Sequence, residues 1–192
     1  MDLKLKTRII FDFDKTIATL KIQWDNWFIG IAKVIQEFDS NFPLPKPGEF
    51  VYYSTQNEYI DKFGKPLVDK IITFNQAFEQ ENNQGLIPNI SCINFINSLK
   101  DKELFIWSSN SQKMIEESLE ELDLKDRFVD IISRDRVFKT KPDPEGFTHI
   151  YNPEHDLKDY LFVGDSSMDE VAAKESRIDF IHVSKLDSLN IN

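Results

Sequence analysis

Two aspartates one residue apart, Asp12 and Asp14, close the run Arg8-Ile9-Ile10-Phe11. In an extended backbone side chains alternate, so both carboxylates leave the same side of the strand end. Two like charges that close repel, raise each other's pKa and lose hydration unless a cation or hydrogen-bond donors lie between them. Polar groups recur downstream, each behind a short apolar segment. Ser108 and Ser109 follow Leu104-Phe105-Ile106-Trp107, and Asp165, with Asp169 one helical turn beyond, follows Tyr160-Leu161-Phe162-Val163-Gly164. Between them, Lys139-Thr140-Lys141-Pro142-Asp143-Pro144 offers two ammonium groups. Acids brought together need a cation, and hydroxyl and ammonium groups beside them can bind an anion.

The elements that must position these groups read as an α/β chain. Ile9, Ile10 and Phe11 form the kind of apolar run that fills a strand buried on both faces of a parallel sheet. After Thr16 the pattern turns helical, with Trp24, Trp27, Phe28, Ile31, Ala32, Ile35 and Phe38 drawing one apolar stripe, read as helix packing. The prolines between Phe42 and Gly48 break it, and a loop is preferred there over a Pro-rich docking motif. Two more helices are expected, from about Glu49 to Lys62 and from about Pro66 to Asn82, with a return hinge at Gly85-Leu86-Ile87-Pro88. From there helices alternate with the strands Leu104–Trp107, Val129–Ile132, Tyr160–Val163 and Phe180–Val183, which means crossover units and a mostly parallel sheet with helices on both faces. The tail from Ser184 is expected to be loosely held. The expected organisation is a Rossmann-like three-layer core of residues 1–19 and 86–192, with a small all-helical insert at 20–85. In such sheets the ligand site lies beyond the carboxyl ends of the strands, where the polar groups above converge.

Asp12-Phe13-Asp14-Lys15-Thr16 resembles the first motif of the haloacid dehalogenase-like (HAD) phosphohydrolases, and Ser108, Lys141 and Asp165 with Asp169 match the other three motifs in order and strand context. The resemblance covers about residues 7 to 20 and 86 to 183. It implies Asp12 as nucleophile, forming an aspartyl-phosphate, and Asp14 as acid and base. It implies Mg²⁺ on Asp12, the main-chain carbonyl of Asp14, and Asp165, with Asp169 and Thr16 supporting the ligands. Phosphate would be bound by Ser108, the Ser109 N–H and Lys141, with Lys139 as the fallback. Lys15 stands where many members carry glycine, and its N–H is expected in the phosphate nest. The helical insert resembles the C1 cap of the phosphoglycolate phosphatase and β-phosphoglucomutase branch, a lid suited to small phosphate esters. Haloacid dehalogenases proper lack an acid where Asp14 stands, which argues against dehalogenation. A phosphomutase or phosphotransferase, and a non-catalytic HAD-shaped binding module, stay open.

Each residue alone has a bland reading. A surface lysine such as Lys141 is usually just solvated, Ser108 can cap a helix, and Asp165-Ser166-Ser167 with Asp169 can simply start one. Joint placement at strand ends, in the family's order, favours catalysis. The net charge of -10 argues against nucleic-acid and anionic-membrane surfaces. No apolar leader and no membrane-length run is visible, so a cytoplasmic protein is expected. The single cysteine, Cys92, falls in an amphipathic helix pattern and reads as a core thiol. His149, His155 and His182 lack metal-site spacing and read as structural or exposed. Natural substrate, pathway and oligomeric state are not legible.

Overall fold

The computed structural model describes residues 3–46 and 53–188. Pro47, Gly48, the start of the second expected helix at 49–52 and the end of the tail at 189–192 lie outside the described residues. In chain order the elements are β1 (Arg8–Phe11), β2 (Ala18–Leu20), α1 (Trp24–Gln36), α2 (Tyr53–Phe63), α3 (Lys65–Asn82), β3 (Leu86–Pro88) and α4 (Ile90–Ser98). Then come β4 (Glu103–Trp107), α5 (Gln112–Glu121), β5 (Asp130–Ile132), α6 (Glu145–Thr148), β6 (Tyr160–Gly164), α7 (Ser167–Glu175) and β7 (Asp179–His182). Short 3₁₀ turns lie between several of them.

Five strands form one parallel sheet in the order β5-β4-β1-β6-β7. The chain leaves β1 toward β4 and later returns to β1's other side with β6, so the strand order reverses at β1, where α/β folds bind ligands. Phe11 is in register with Ile106 on β4 and Val163 on β6, which brings the ends of all three strands to one level. Ile9, Ile10 and Phe11 are fully buried, as a strand covered on both faces requires. Ile10 shares one face with Phe105, Trp107 and Phe162, beneath Phe147 of α6 and Ala172 and Ala173 of α7. Phe11 points the other way, its ring edge-on to Phe95 of α4 and to Phe128. Side chains cap two of the helix starts: Asn89 accepts from the Cys92 N–H, and Ser111 from the Met114 N–H. Cys92 is buried.

The chain divides into two compact units, Met1–Leu20 with Leu86–Asn192, and Lys21–Gly85. The second unit contains α1, α2 and α3 around Trp27, Ile31, Ile35, Leu67 and Ile71, and the buried Trp27 indole donates to Asn75 Oδ1 at 2.7 Å. Two expectations need correction. The segment after Thr16 does not go directly into helix, and the return at Leu86–Pro88 is not a bare hinge, because β2 and β3 pair as an antiparallel ribbon. Three-residue strands are too short to show a period. The tail is also held as far as the described residues go: Val183–Ser188 forms a 3₁₀ turn with Leu186 buried, and Ser91 on α4 hydrogen-bonds Asp187. Among the described residues, no helix is long and apolar enough to cross a membrane.

Gly146 lets α6 lie directly on the end of β4. A Cβ there would come within 2.0 Å of Trp107 Nε1. Gly146→Ala is therefore expected to destabilise the protein by about 1–3 kcal/mol in urea unfolding, against the roughly 1 kcal/mol gain that glycine-to-alanine normally gives inside a helix. A neutral or stabilising result would show that Trp107 can move aside.

Candidate active site

The end of β1 is tied to its neighbour, since the Asp12 N–H donates to the Val163 carbonyl at 2.9 Å. The chain then turns sharply, with the N–H groups of Thr16, Ile17 and Ala18 all donating to the Phe13 carbonyl. Lys15 sits at φ +61°, a left-handed conformation that costs a residue with a Cβ about 1–2 kcal/mol. Its N–H donates to the Ala18 carbonyl at 2.7 Å, so the expected contribution to a phosphate nest is corrected: the turn itself uses that group. Asn89 braces the turn, its N–H on the Ile17 carbonyl and its side-chain amide on the Thr16 carbonyl, each at 3.0 Å. Thr16 is fully buried and its hydroxyl lies 3.4 Å from Asp12 Oδ2. Asp14 Oδ1 accepts the Leu20 N–H at 2.8 Å.

Of the two lysines, the structure brings Lys141 to Asp12. Its Nζ lies 2.6 Å from Asp12 Oδ1 and 2.5 Å from Asp169 Oδ1, with all three side chains buried. Lys139 instead faces Asp143 at 3.8 Å. The loop that delivers Lys141 is held by Glu145, whose two carboxylate oxygens accept the Phe138 and Lys139 N–H groups at 2.7 and 2.8 Å. Asp169 divides its oxygens: Oδ1 meets Lys141, while Oδ2 accepts from the Ser166 N–H at 3.1 Å and the Ser166 hydroxyl at 2.6 Å. Ser166 in turn caps the Asp169 N–H, so this segment starts a helix while its Asp169 also meets Lys141. Gly164 makes this possible, because a Cβ there would meet Asp169 Cβ at 2.6 Å.

Ser108 is buried at the end of β4 and its hydroxyl donates to Asn110 Oδ1 at 2.9 Å. Ser109 is less buried, and its carbonyl accepts from Arg134 at 3.1 Å. Asn110, Glu145 and Asn89 were not singled out from sequence. Their roles depend on partners brought in by folding, and only the string Ser108-Ser109-Asn110 at a strand end hinted at the first.

The electrostatics are unbalanced. Carboxylate oxygens of Asp12, Asp165 and Asp169 all lie within 4.8 Å of one another, and Lys141 is the ammonium paired among them. Burial pushes the Asp12 carboxyl up to about 7, opposed by Lys141 and reinforced by the charges of Asp169 and Asp165. Burial raises Asp165 as well, with Asp169 adding to it. Asp14 is pushed up to about 6, again chiefly by burial, against the Leu20 N–H. Burial works against the charge of Lys141, but Asp12 and Asp169 outweigh it and hold the ammonium well above its ordinary range. An all-oxygen donor set whose negative charge exceeds its ammonium partner fits a hard divalent cation.

A carboxyl whose pKa is higher folded than unfolded binds its proton more tightly in the native state. The stability it contributes is full below the unfolded value, 3.8, and is lost as pH rises toward the folded value near 7. Asp12→Asn removes that loss. In urea unfolding with chelator present, the variant should gain on the wild type steadily between about pH 4 and pH 7. A difference that stays constant with pH would show that Asp12 is not the crowded group.

A family model described as haloacid dehalogenase-like hydrolase matches residues 9–183. No curated protein sequence matches the chain. Among solved structures, one from Bacteroides fragilis assigned as a haloacid dehalogenase-like hydrolase is similar at 20% identity and TM-score 0.62, over 91% of this chain and 86% of that one. A predicted phosphoglycolate phosphatase from Haemophilus somnus 129PT is similar at 18% identity and TM-score 0.60, over 93% and 85%. YfnB of Bacillus subtilis, assigned as a HAD hydrolase and solved with magnesium bound, is similar at 17% identity and TM-score 0.53, over 91% and 85%. At these identities the likeness is one of fold. The family match spans β1 to the end of β7 and takes in all the strand ends just described, and the chain belongs to the haloacid dehalogenase-like hydrolases.

Proposed function

We propose that the protein is a Mg²⁺-dependent phosphatase that hydrolyses small phosphate monoesters through a phosphoaspartate on Asp12. The observation that most supports this is the buried Lys141 ammonium between Asp12 and Asp169, inside a cluster that also includes Asp165. Phosphoryl transfer to a carboxylate needs that acid fixed in place and positive charge around the phosphoryl oxygens. The magnesium in YfnB and the phosphoglycolate phosphatase assignment of the Haemophilus protein point the same way.

In this reading a carboxylate oxygen of Asp12 forms a bond to phosphorus as the bond from phosphorus to the ester oxygen breaks. Asp14 gives its proton to that departing oxygen. It then takes a proton from the water that attacks phosphorus, which releases inorganic phosphate and restores the Asp12 carboxylate. Because Oδ1 of Asp14 accepts the Leu20 N–H, the exchanged proton is assigned to Oδ2. A carboxyl pushed up to about 6 can do both steps near neutral pH. Lys141, Ser108 and the Ser109 N–H bind the phosphoryl oxygens, and Asp169 and Thr16 orient Lys141 and Asp12. Asp12, Asp165 and the main chain of Asp14 would hold Mg²⁺, which when bound supplies the charge that lets a carboxylate approach a phosphate dianion. The choice of leaving group falls, in this reading, to the helical unit Lys21–Gly85, as the resemblance to a helical cap implies.

Two measurements test the reading. Hydrolysis of an aryl phosphate should need Mg²⁺, stop with chelator and return on adding the ion, and fall roughly 10³-fold or more in Asp12→Asn. Hydrolysis that survives the substitution would sink the phosphoaspartate, and tight binding of phosphate esters without turnover would favour a non-catalytic module. Asp14→Asn should slow alkyl phosphates by about 10²–10⁴-fold and aryl phosphates much less, since only a poor leaving group needs the proton. Equal losses on both would remove Asp14 from that role.

A further inference from the structure

His182 ends β7, in register with Gly164 at the end of β6, and so stands beside the point where the chain enters Asp165. Its Nδ1 accepts the Ser184 N–H at 3.2 Å and lies 2.8 Å from the Ser184 hydroxyl. With Nδ1 accepting, the ring proton is on Nε2, and Nε2 lies 2.8 Å from the Asp165 carbonyl oxygen. The other side of the same peptide is held too, because the Ser166 N–H donates to Asp169 Oδ2 at 3.1 Å. The peptide after Asp165 is thus clamped by its oxygen and by its nitrogen. A clamped peptide fixes the backbone at Asp165, and with it the direction in which the carboxylate leaves the chain.

We propose that His182 is a positioning residue of this centre: by donating from Nε2 to the Asp165 main-chain carbonyl it aims the Asp165 carboxylate and sets the affinity for a divalent cation. The proposal rests on the phosphatase reading in taking Asp165 as a ligand. The ring acts through the backbone, by its contact with the Asp165 carbonyl. A strap that merely ties β7 to β6 would alter stability alike with and without the ion. A positioning residue alters binding of the ion itself.

The test is titration calorimetry of the whole protein with Mg²⁺, beside thermal unfolding in chelator and kcat and KM for an aryl phosphate at saturating Mg²⁺. His182→Leu should weaken Mg²⁺ binding about tenfold. His182→Gln, whose side-chain amide reaches about as far as Nε2, should recover most of that loss. His182→Asn, too short to reach the carbonyl, should not recover it and serves if the leucine variant does not fold. At saturating Mg²⁺ the folded variants should regain kcat. Wild-type Mg²⁺ affinity in folded His182→Leu, or equal affinities in the Gln and Asn variants, would overturn the proposal. If the wild type hydrolyses with Mg²⁺ and the variants bind it as well, the role of His182 alone falls. If the wild type neither binds Mg²⁺ nor hydrolyses, the phosphatase reading falls with it.

Discussion

Lys141 brings one positive charge into a buried space that also holds the carboxylates of Asp12, Asp165 and Asp169. An ion pair removed from water is stable only when its partners are well placed and their remaining lone pairs are engaged. Here the ammonium is shared between Asp12 and Asp169, and burial, reinforced by the neighbouring carboxylates, raises the pKa values of Asp12 and Asp165. The rest of the core must supply the free energy that keeps such a cluster together. The fully buried strand β1 and its neighbours β4 and β6 do so, with Ile9, Ile10, Phe11, Leu161, Phe162 and Val163 wholly removed from solvent. Burying each such side chain contributes about 1.5–3 kcal/mol.

The architecture also explains why few residues suffice to hold the site. With β1 in the middle of the sheet, two flanking strands end at its level and deliver Ser108 and Asp165 without any long excursion of chain. Groups on strand ends are held more firmly than groups on loops. The loop that delivers Lys141 has its own brace in the paired contacts of Glu145. Asp169 couples local and distant structure most directly, one oxygen closing the capping box of α7 and the other meeting Lys141. A substitution there would loosen a helix start and an ion pair together.

Much of this was legible in the sequence because it depends on short-range pattern. Apolar runs of strand length, each ending in Asp or Ser, gave the parallel sheet and the placement of Asp12, Ser108 and Asp165. What stayed hidden depends on contacts across the fold. The preference for Lys141 over Lys139 comes from the family resemblance alone, because direction within a loop leaves no periodicity. Asn89, Asn110 and Glu145 act through partners that only folding supplies. A histidine bonded to a main-chain carbonyl carries no metal-site spacing, so from sequence His182 reads only as structural or exposed. The ribbon of β2 and β3 escaped notice for a different reason: its three-residue strands lie far apart in sequence.

Asp12 and Asp14 show how one turn of chain can give two neighbouring acids different chemistry. Both leave the same strand end, and burial raises both. Asp12 lies against an ammonium and beside two other carboxylates, and in the proposed mechanism its oxygen attacks phosphorus once further positive charge is present. Asp14 is not paired with Lys141; burial pushes its carboxyl up to about 6, opposed by the Leu20 N–H that holds one of its oxygens. In the proposed mechanism it is these separate partners, and not a gap in pKa, that distinguish the nucleophile from the proton carrier. The turn through Lys15 and Thr16, strained at Lys15 and closed by three N–H groups on the Phe13 carbonyl, is what keeps the two carboxylates in those separate surroundings.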